Sequence, residues 1–145
     1  MGHSLDGIHP FRKGFVWTSR DSLVFLQRTR ALIAQFAAAG FLGDNGTEMI
    51  ADLTGLAVAH DAFERIIRGQ PVGDIDGFTP EQRFFLAFAS KFRSRVWPNA
   101  QGKLHPPDKL RVNIALANTP AFAKAFGCKA GDPMDVPASQ RVVFW

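Results

Sequence analysis

Two carboxylates four residues apart, Glu48 and Asp52, open an apolar helical pattern over residues 47–61 (TEMIADLTGLAVAHD). At ~100° per residue they project about 40° apart on one helix face, one above the other. Like charges at that spacing weaken a bare helix, so a third party is implied: a cation, a metal ion, or water on an exposed face. The surroundings argue against the exposed face. Ile50, Ala51, Leu53, Leu56, Ala57 and Val58 cover most of the circumference, and unpaired carboxylates on a largely buried helix are expensive.

The chain that must position this pair has 145 residues, 46% of them hydrophobic and 21% charged, which suits one core and one domain spanning 1–145. Lys and Arg number 17 against 13 Asp and Glu, and the resulting +4 is spread along the chain rather than gathered into a block. The arginines lack aromatic interleaving, so no nucleic-acid partner is expected. Cys128 is the single cysteine and rules out an intrachain disulfide. No run of 18 apolar residues occurs, so no membrane segment is predicted, and the localisation stays open.

Residues 1–14 (MGHSLDGIHPFRKG) are rich in turn formers and read as loop after a short helical start. Thr18 with Asp21 resembles a capping box and announces a helix over Ser19–Ala38, with Leu23, Leu26, Ile33, Phe36 and Ala37 as its apolar stripe. Residues 40–46 (GFLGDNG) form the turn into the helix of Glu48 and Asp52, which Gly69 and Pro71 stop. Thr79, Pro80 and Gln82 mark the clearest helix start, and Phe84, Phe85, Phe88, Phe92 and Val96 give that helix an aromatic stripe up to Trp97-Pro98. Residues 99–107 read as loop, followed by an apolar run to Leu116. Thr119-Pro120 begins a short helix that Gly127 closes, and residues 141–145 (RVVFW) form an extended apolar tail. The predicted fold class is all-α, four to five helices with little or no strand, packed around Leu26, Ile33, Leu56, Phe63, Phe84, Phe88 and Phe126.

Four segments carry a further signal: residues 48–56 (EMIADLTGL), residues 77–85 (GFTPEQRFF), His105-Pro106 with Arg111-Val112-Asn113, and residues 126–134 (FGCKAGDPM). In this order they resemble the carboxy-terminal part of neprilysin-like zinc metallopeptidases, the group of neprilysin, endothelin-converting enzyme and oligopeptidase O. Trp145 stands where chains of that family usually end. The resemblance implies the carboxy-terminal portion of a thermolysin-like catalytic domain, a Zn2+ cofactor, peptide substrates and hydrolysis of peptide bonds.

By the same resemblance His3 and Glu48 are zinc ligands, Asp52 is a carboxylate that steadies a ligand histidine, His105 stabilises the oxyanion, and Arg111 binds a substrate carbonyl. On residue type alone, His105 reads as a loop histidine and Arg111 as an ion-pair partner. Asp6 is a weaker candidate for orienting His3. His60, 12 residues past Glu48 and about 120° round the helix, lies off the ligand face and is read, with His9, as structural or superficial. Residues 1–3 look like the end of H-E-x-x-H, whose first histidine and glutamate do not occur. The resemblance thus implies a truncated product, a mistaken start or a gene fragment, inactive or nearly so alone. Thr47 replaces a usual glycine, Met49 a common asparagine, residues 6–17 look shortened, and Arg12 and Lys13 stand in a generally more acidic stretch. The alternative function is a non-catalytic helical remnant that binds a partner, and an exposed apolar face also points to self-association.

Overall fold

The computed structural model describes residues 17–43, 46–93 and 105–144. His3, Asp6, His9, Arg12, Lys13, Val96, Trp97, most of the loop over 99–107 and Trp145 lie outside them. Among the described residues there are five α-helices, α1 (Ser19–Ala38), α2 (Gly46–Ile67), α3 (Pro80–Ser90), α4 (Asp108–Ala117) and α5 (Pro120–Phe126), with a 3₁₀ turn at Ala138–Gln140. The only pairing of extended backbone among them is an isolated bridge between Ile75 and Phe78. The all-α expectation holds.

Local chemistry sets the helix ends. Thr18 Oγ1 accepts from the Asp21 amide at 3.1 Å while Asp21 Oδ2 accepts from the Thr18 amide at 3.3 Å, completing the box that starts α1. Thr79 and Gln82 do the same for α3 at 3.2 and 3.0 Å, and Gln82 Nε2 also donates to the Ala125 carbonyl at 3.0 Å, tying α3 to α5. Gly127, with φ of 64°, closes α5 in the left-handed conformation that a Cβ disfavours.

Two elements depart from the sequence reading. The apolar run to Leu116 that follows the loop, for which the sequence names no element, is the ten-residue helix α4. It starts without a side-chain cap, so nothing in the run announced it, and it is held by packing chiefly against α2 and α5, with further contacts to α1 and α3. The aromatic helix is shorter than its stripe. It ends at Ser90, whose hydroxyl donates to the Ala87 carbonyl at 2.9 Å, and Phe92 sits in the turn beyond.

α2 runs through both apolar clusters. Met49, Ile50 and Leu53 join Leu32 and Phe36 of α1 and Val142 and Phe144 of the tail in one; Leu56 joins Phe85, Ala115 and Leu116 in the other. Leu56 was expected in the core and is there. Ile33, Phe84 and Phe88 pack at its edges, Leu26 and Phe63 are half-buried, and Phe126 and Leu23 are exposed. The periodicity finds the apolar face, but the centre of that face falls on Leu32, Phe36 and Phe85, where neighbouring helices converge.

The tail packs back as expected. Val142 and Phe144 are buried and Val143 is exposed, the alternation of an extended segment. Asn118, 2% exposed, accepts from the Val142 amide at 2.7 Å, and Arg28 Nη1 donates to the Phe144 carbonyl at 2.8 Å.

Candidate functional site

Glu48 and Asp52 lie in the first two turns of α2 on the side that faces α4, and Arg111 in the first turn of α4 meets them there. Arg111 Nε donates to Asp52 Oδ2 at 2.6 Å and Nη2 to Asp52 Oδ1 at 2.9 Å, a bidentate fork. The same Nη2 donates to Glu48 Oε2 at 2.8 Å. The guanidinium carbon stands 5.0 Å from the centre of the Phe92 ring, within cation–π range. The side chains of Glu48, Asp52 and Arg111 keep only 10%, 6% and 16% of their exposure.

Arg111 is the cation that the i, i+4 carboxylates required. Its pKa is raised, first by the hydrogen bonds to Asp52 and further by the charges of Asp52, Glu48 and Asp108, against the opposing effect of burial. Nη1 makes no hydrogen bond to the protein among the described residues.

His105 stands three residues before α4, its side chain 62% exposed, with Nε2 3.6 Å from Glu48 Oε1. That separation is an ion-pair contact when the ring is protonated and too long for a hydrogen bond. Four of the five candidate residues, Glu48, Asp52, His105 and Arg111, thus meet in one place although 63 positions separate Glu48 from Arg111. His3 lies outside the described residues.

Two contacts specify what the sequence left general. Arg111, an ion-pair partner on residue type alone, binds both carboxylates, where the family resemblance had matched Asp52 to a histidine and Arg111 to a substrate. Phe92, counted as helix stripe, instead lies against the guanidinium. The signal available was the Glu48 and Asp52 couple itself, like charges one helical turn apart, together with an arginine in an otherwise apolar run.

His60 is structural, as read. It is 8% exposed, stacked on Phe85 with centroids 5.2 Å apart and edge-on to Phe84 at 5.2 Å. Its Nε2 has no hydrogen-bond partner among the described residues.

Between α2 and α3 a cavity of about 360 Å³ opens beside Asp52. Ala51, Gly55 and Ala59 form one wall, Phe84, Ala87 and Phe88 the other, and Lys91 stands at the rim. No helix among the described residues is long and apolar enough to cross a membrane.

The model of peptidase family M13 matches residues 13–142. The chain is 33% identical to Neprilysin-1 of Caenorhabditis elegans, over 89% of its own length and 19% of that protein, and 31% identical to Neprilysin-21 of the same organism, over 82% and 18%. In three dimensions it is similar to the crystal structure of the zinc metalloprotease Zmp1 of Mycobacterium tuberculosis in complex with an inhibitor. The TM-score there is 0.73 at 28% identity, covering 89% of this chain and 22% of that one. The chain spans about a fifth of the length of each of these proteins.

Proposed function

The chain belongs to peptidase family M13, and we propose from that membership that it carries the Glu48 side of a zinc metalloendopeptidase site acting on oligopeptides. The convergence of Glu48, Asp52, His105 and Arg111 from two separate helices and a loop is the observation that supports this reading most. Those residue types suit amide hydrolysis, which needs a metal-ligating carboxylate, a donor for the developing oxyanion and a donor for the substrate backbone.

The described residues do not by themselves fit a zinc ion. Among them no three His, Cys, Asp or Glu side chains are arranged to hold a metal ion, and Arg111 already engages Oε2 of Glu48. Glu48 contributes one carboxylate oxygen to such a set. His3, proposed as a second ligand, and a complete H-E-x-x-H would have to supply the rest, and the latter does not occur in the 145 residues. Activity of these residues alone is therefore proposed to be slight.

The protein groups have separable tasks. In this reading the exposed His105 imidazole donates to an oxygen gaining charge, and Arg111 donates through Nη1 to a peptide carbonyl while Nε and Nη2 stay on the carboxylates. Asp52 holds Arg111, and each of its oxygens keeps capacity for a second donor, such as a ligand histidine. Supplying an upstream segment that ends in His-Glu, so that H-E-M-G-H is complete, should give zinc-dependent cleavage of a peptide that Glu48→Ala abolishes. Cleavage that survives Glu48→Ala would remove Glu48 from the site.

The apolar cavity between α2 and α3 favours a second reading, a helical module that binds a partner. It is separable from the first, because a bound partner would be displaced by a bulky charge at Ala87 and left in place by Glu48→Ala.

A further inference from the structure

We propose that Lys91 is a specificity-determining residue that gives the site a preference for acidic peptides, by meeting a side-chain or terminal carboxylate close to the carbonyl that Arg111 holds. The inference rests on the peptidase reading and names a substrate class for it.

The first observation is where the acids are missing. Residues 82–107 contain Arg83, Lys91, Arg93, Arg95 and Lys103 but no aspartate or glutamate. The cations there are spaced out rather than gathered into a run, yet without these five the chain would carry more carboxylates than cations. A stretch of one sign raises the local concentration of opposite charge wherever it borders a site.

The second observation is where that stretch meets the fold. Phe92 lies 5.0 Å from the Arg111 guanidinium carbon, and His105, near the other end, stands 3.6 Å from Glu48. Arg95 and Lys103 lie outside the described residues, so Lys91 is the cation of the five that the structure places against the site. It forms the rim of the cavity beside Asp52, and its ammonium stands 4.9 Å from the centre of the Phe92 ring and 5.9 Å from that of Phe88. Lys91 and Arg111 thus share one ring and are no farther apart than their two distances to it together, about three residues of extended peptide at ~3.3 Å each. Their charges differ in one respect. Arg111 is matched by Asp52 and Glu48, whereas the exposed Lys91 forms no ion pair among the described residues. Two rings steady an ammonium that no neighbouring carboxylate neutralises, which suits it to a carboxylate brought by the substrate.

The test uses the full chain at low salt and three peptides with one apolar core: a glutamate peptide and a glutamine peptide with capped ends, and the glutamine peptide with a free carboxy terminus. Affinities are read from amide NMR shifts on titration. At least one of the two anionic peptides should bind about threefold more tightly than the capped glutamine peptide, and which one does so distinguishes the side chain from the terminus as the source. Lys91→Glu should bring that ratio below one. Arg30→Glu makes the same change in net charge on α1, a helix that does not pack against α3, and should leave the ratio as it is. Equal affinities for the three peptides, no binding by any of them, or a ratio that Arg30→Glu lowers as far as Lys91→Glu would overturn the proposal. So would a single-stranded oligonucleotide that binds more tightly than either anionic peptide and is lost in Lys91→Glu, since the rim would then be a nucleic-acid contact. Failure of the peptidase reading looks different. A protein completed with His-Glu upstream that cleaves none of the peptides overturns that reading, and the substrate role of Lys91 with it, even where the acidic preference in binding stands. Cleavage of all three at equal kcat/KM, abolished by Glu48→Ala, keeps the reading and overturns the role of Lys91 alone.

Discussion

Gln35 of α1 and Asn118 at the end of α4, 83 positions apart, exchange two side-chain hydrogen bonds: Gln35 Nε2 donates to Asn118 Oδ1 at 3.2 Å, and Asn118 Nδ2 donates to Gln35 Oε1 at 2.6 Å. The Val142 amide can only donate, so its 2.7 Å bond to Asn118 identifies which side of that amide is oxygen. Asn118 Nδ2 also reaches the Ile114 carbonyl at 2.8 Å, and Gln35 Nε2 the Gln140 carbonyl at 3.0 Å. One buried amide joins α1, α4 and the tail.

Asn118→Leu should therefore destabilise the protein by on the order of 3 kcal/mol, because the Val142 N–H and Gln35 Oε1 lose their partner in Asn118. Urea denaturation at equilibrium measures it. A loss below about 0.5 kcal/mol would mean that water replaces the network without cost.

His60 makes the opposite case. Its Nε2 is buried without a partner among the described residues while the ring packs on Phe84 and Phe85. His60→Phe should raise stability by about 1 kcal/mol, since it keeps the stacking and removes the unsatisfied atom. A destabilised His60→Phe protein would reveal a hydrogen bond to Nε2 that the described residues do not contain.

The raised pKa of Arg111 fixes a dependence on alkali. A cation whose folded pKa lies above its unfolded one contributes fully below the unfolded value and loses the contribution as pH rises through the folded one. For arginine that window lies beyond any working pH, so the ion pair with Asp52 and Glu48 should hold throughout. Arg111→Lys moves the window to the range of a lysine, near about 10. The difference in Tm between parent and Arg111→Lys should widen from about pH 9.5 to pH 11, and a constant difference would mean that the lysine is not paired with the carboxylates.

In the protein completed with His-Glu upstream, the site variants should separate by kinetics. His105→Ala should chiefly lower kcat, by on the order of 10²–10³-fold if the imidazole serves the oxyanion. Arg111→Ala should raise KM, with any loss of kcat depending on how far its contact to the substrate strengthens in the transition state. Glu48→Ala should lose both zinc, measured by equilibrium dialysis, and turnover. Parent-like kinetics for both His105→Ala and Arg111→Ala would show that the proposed roles are wrong.

The cavity between α2 and α3, with exposed Val58 and Ile66 further along α2, should drive self-association at high concentration. Light scattering should report a mass that grows with concentration and returns toward the monomer in Ala87→Lys. A monomer at every concentration counts against an open apolar face.

Caps and periods carried most of the fold. Thr18 with Asp21, and Thr79 with Gln82, are local signals whose hydrogen bonds span three residues, and the helices they start begin where the sequence places them. α4 has no side-chain cap, and its identity as a helix depends on α2 and α5, which no window around residues 108–117 contains. The site divides along the same line. Glu48 and Asp52 were legible as a pair in want of a cation because their relation is a helical period. That the cation is Arg111, with Phe92 beside it, is a tertiary fact: burial on α2 decides it, and no spacing in the chain encodes it.

Folding settles the Arg111 guanidinium before anything arrives to meet it. An arginine in solution has about 2 kcal/mol of rotamer entropy to lose when its head group is fixed. Here three hydrogen bonds and the nearby ring of Phe92 have already removed most of that freedom. An acceptor approaching Nη1 therefore encounters a stationary donor whose plane is set from the far side, and binding need not freeze the side chain again. In the proposed substrate-binding role the direction of approach is restricted as well: a carbonyl in the guanidinium plane meets the Nη1 hydrogens and one arriving across that plane does not, so the carboxylates behind Arg111 act as an angular filter on what lies in front of it.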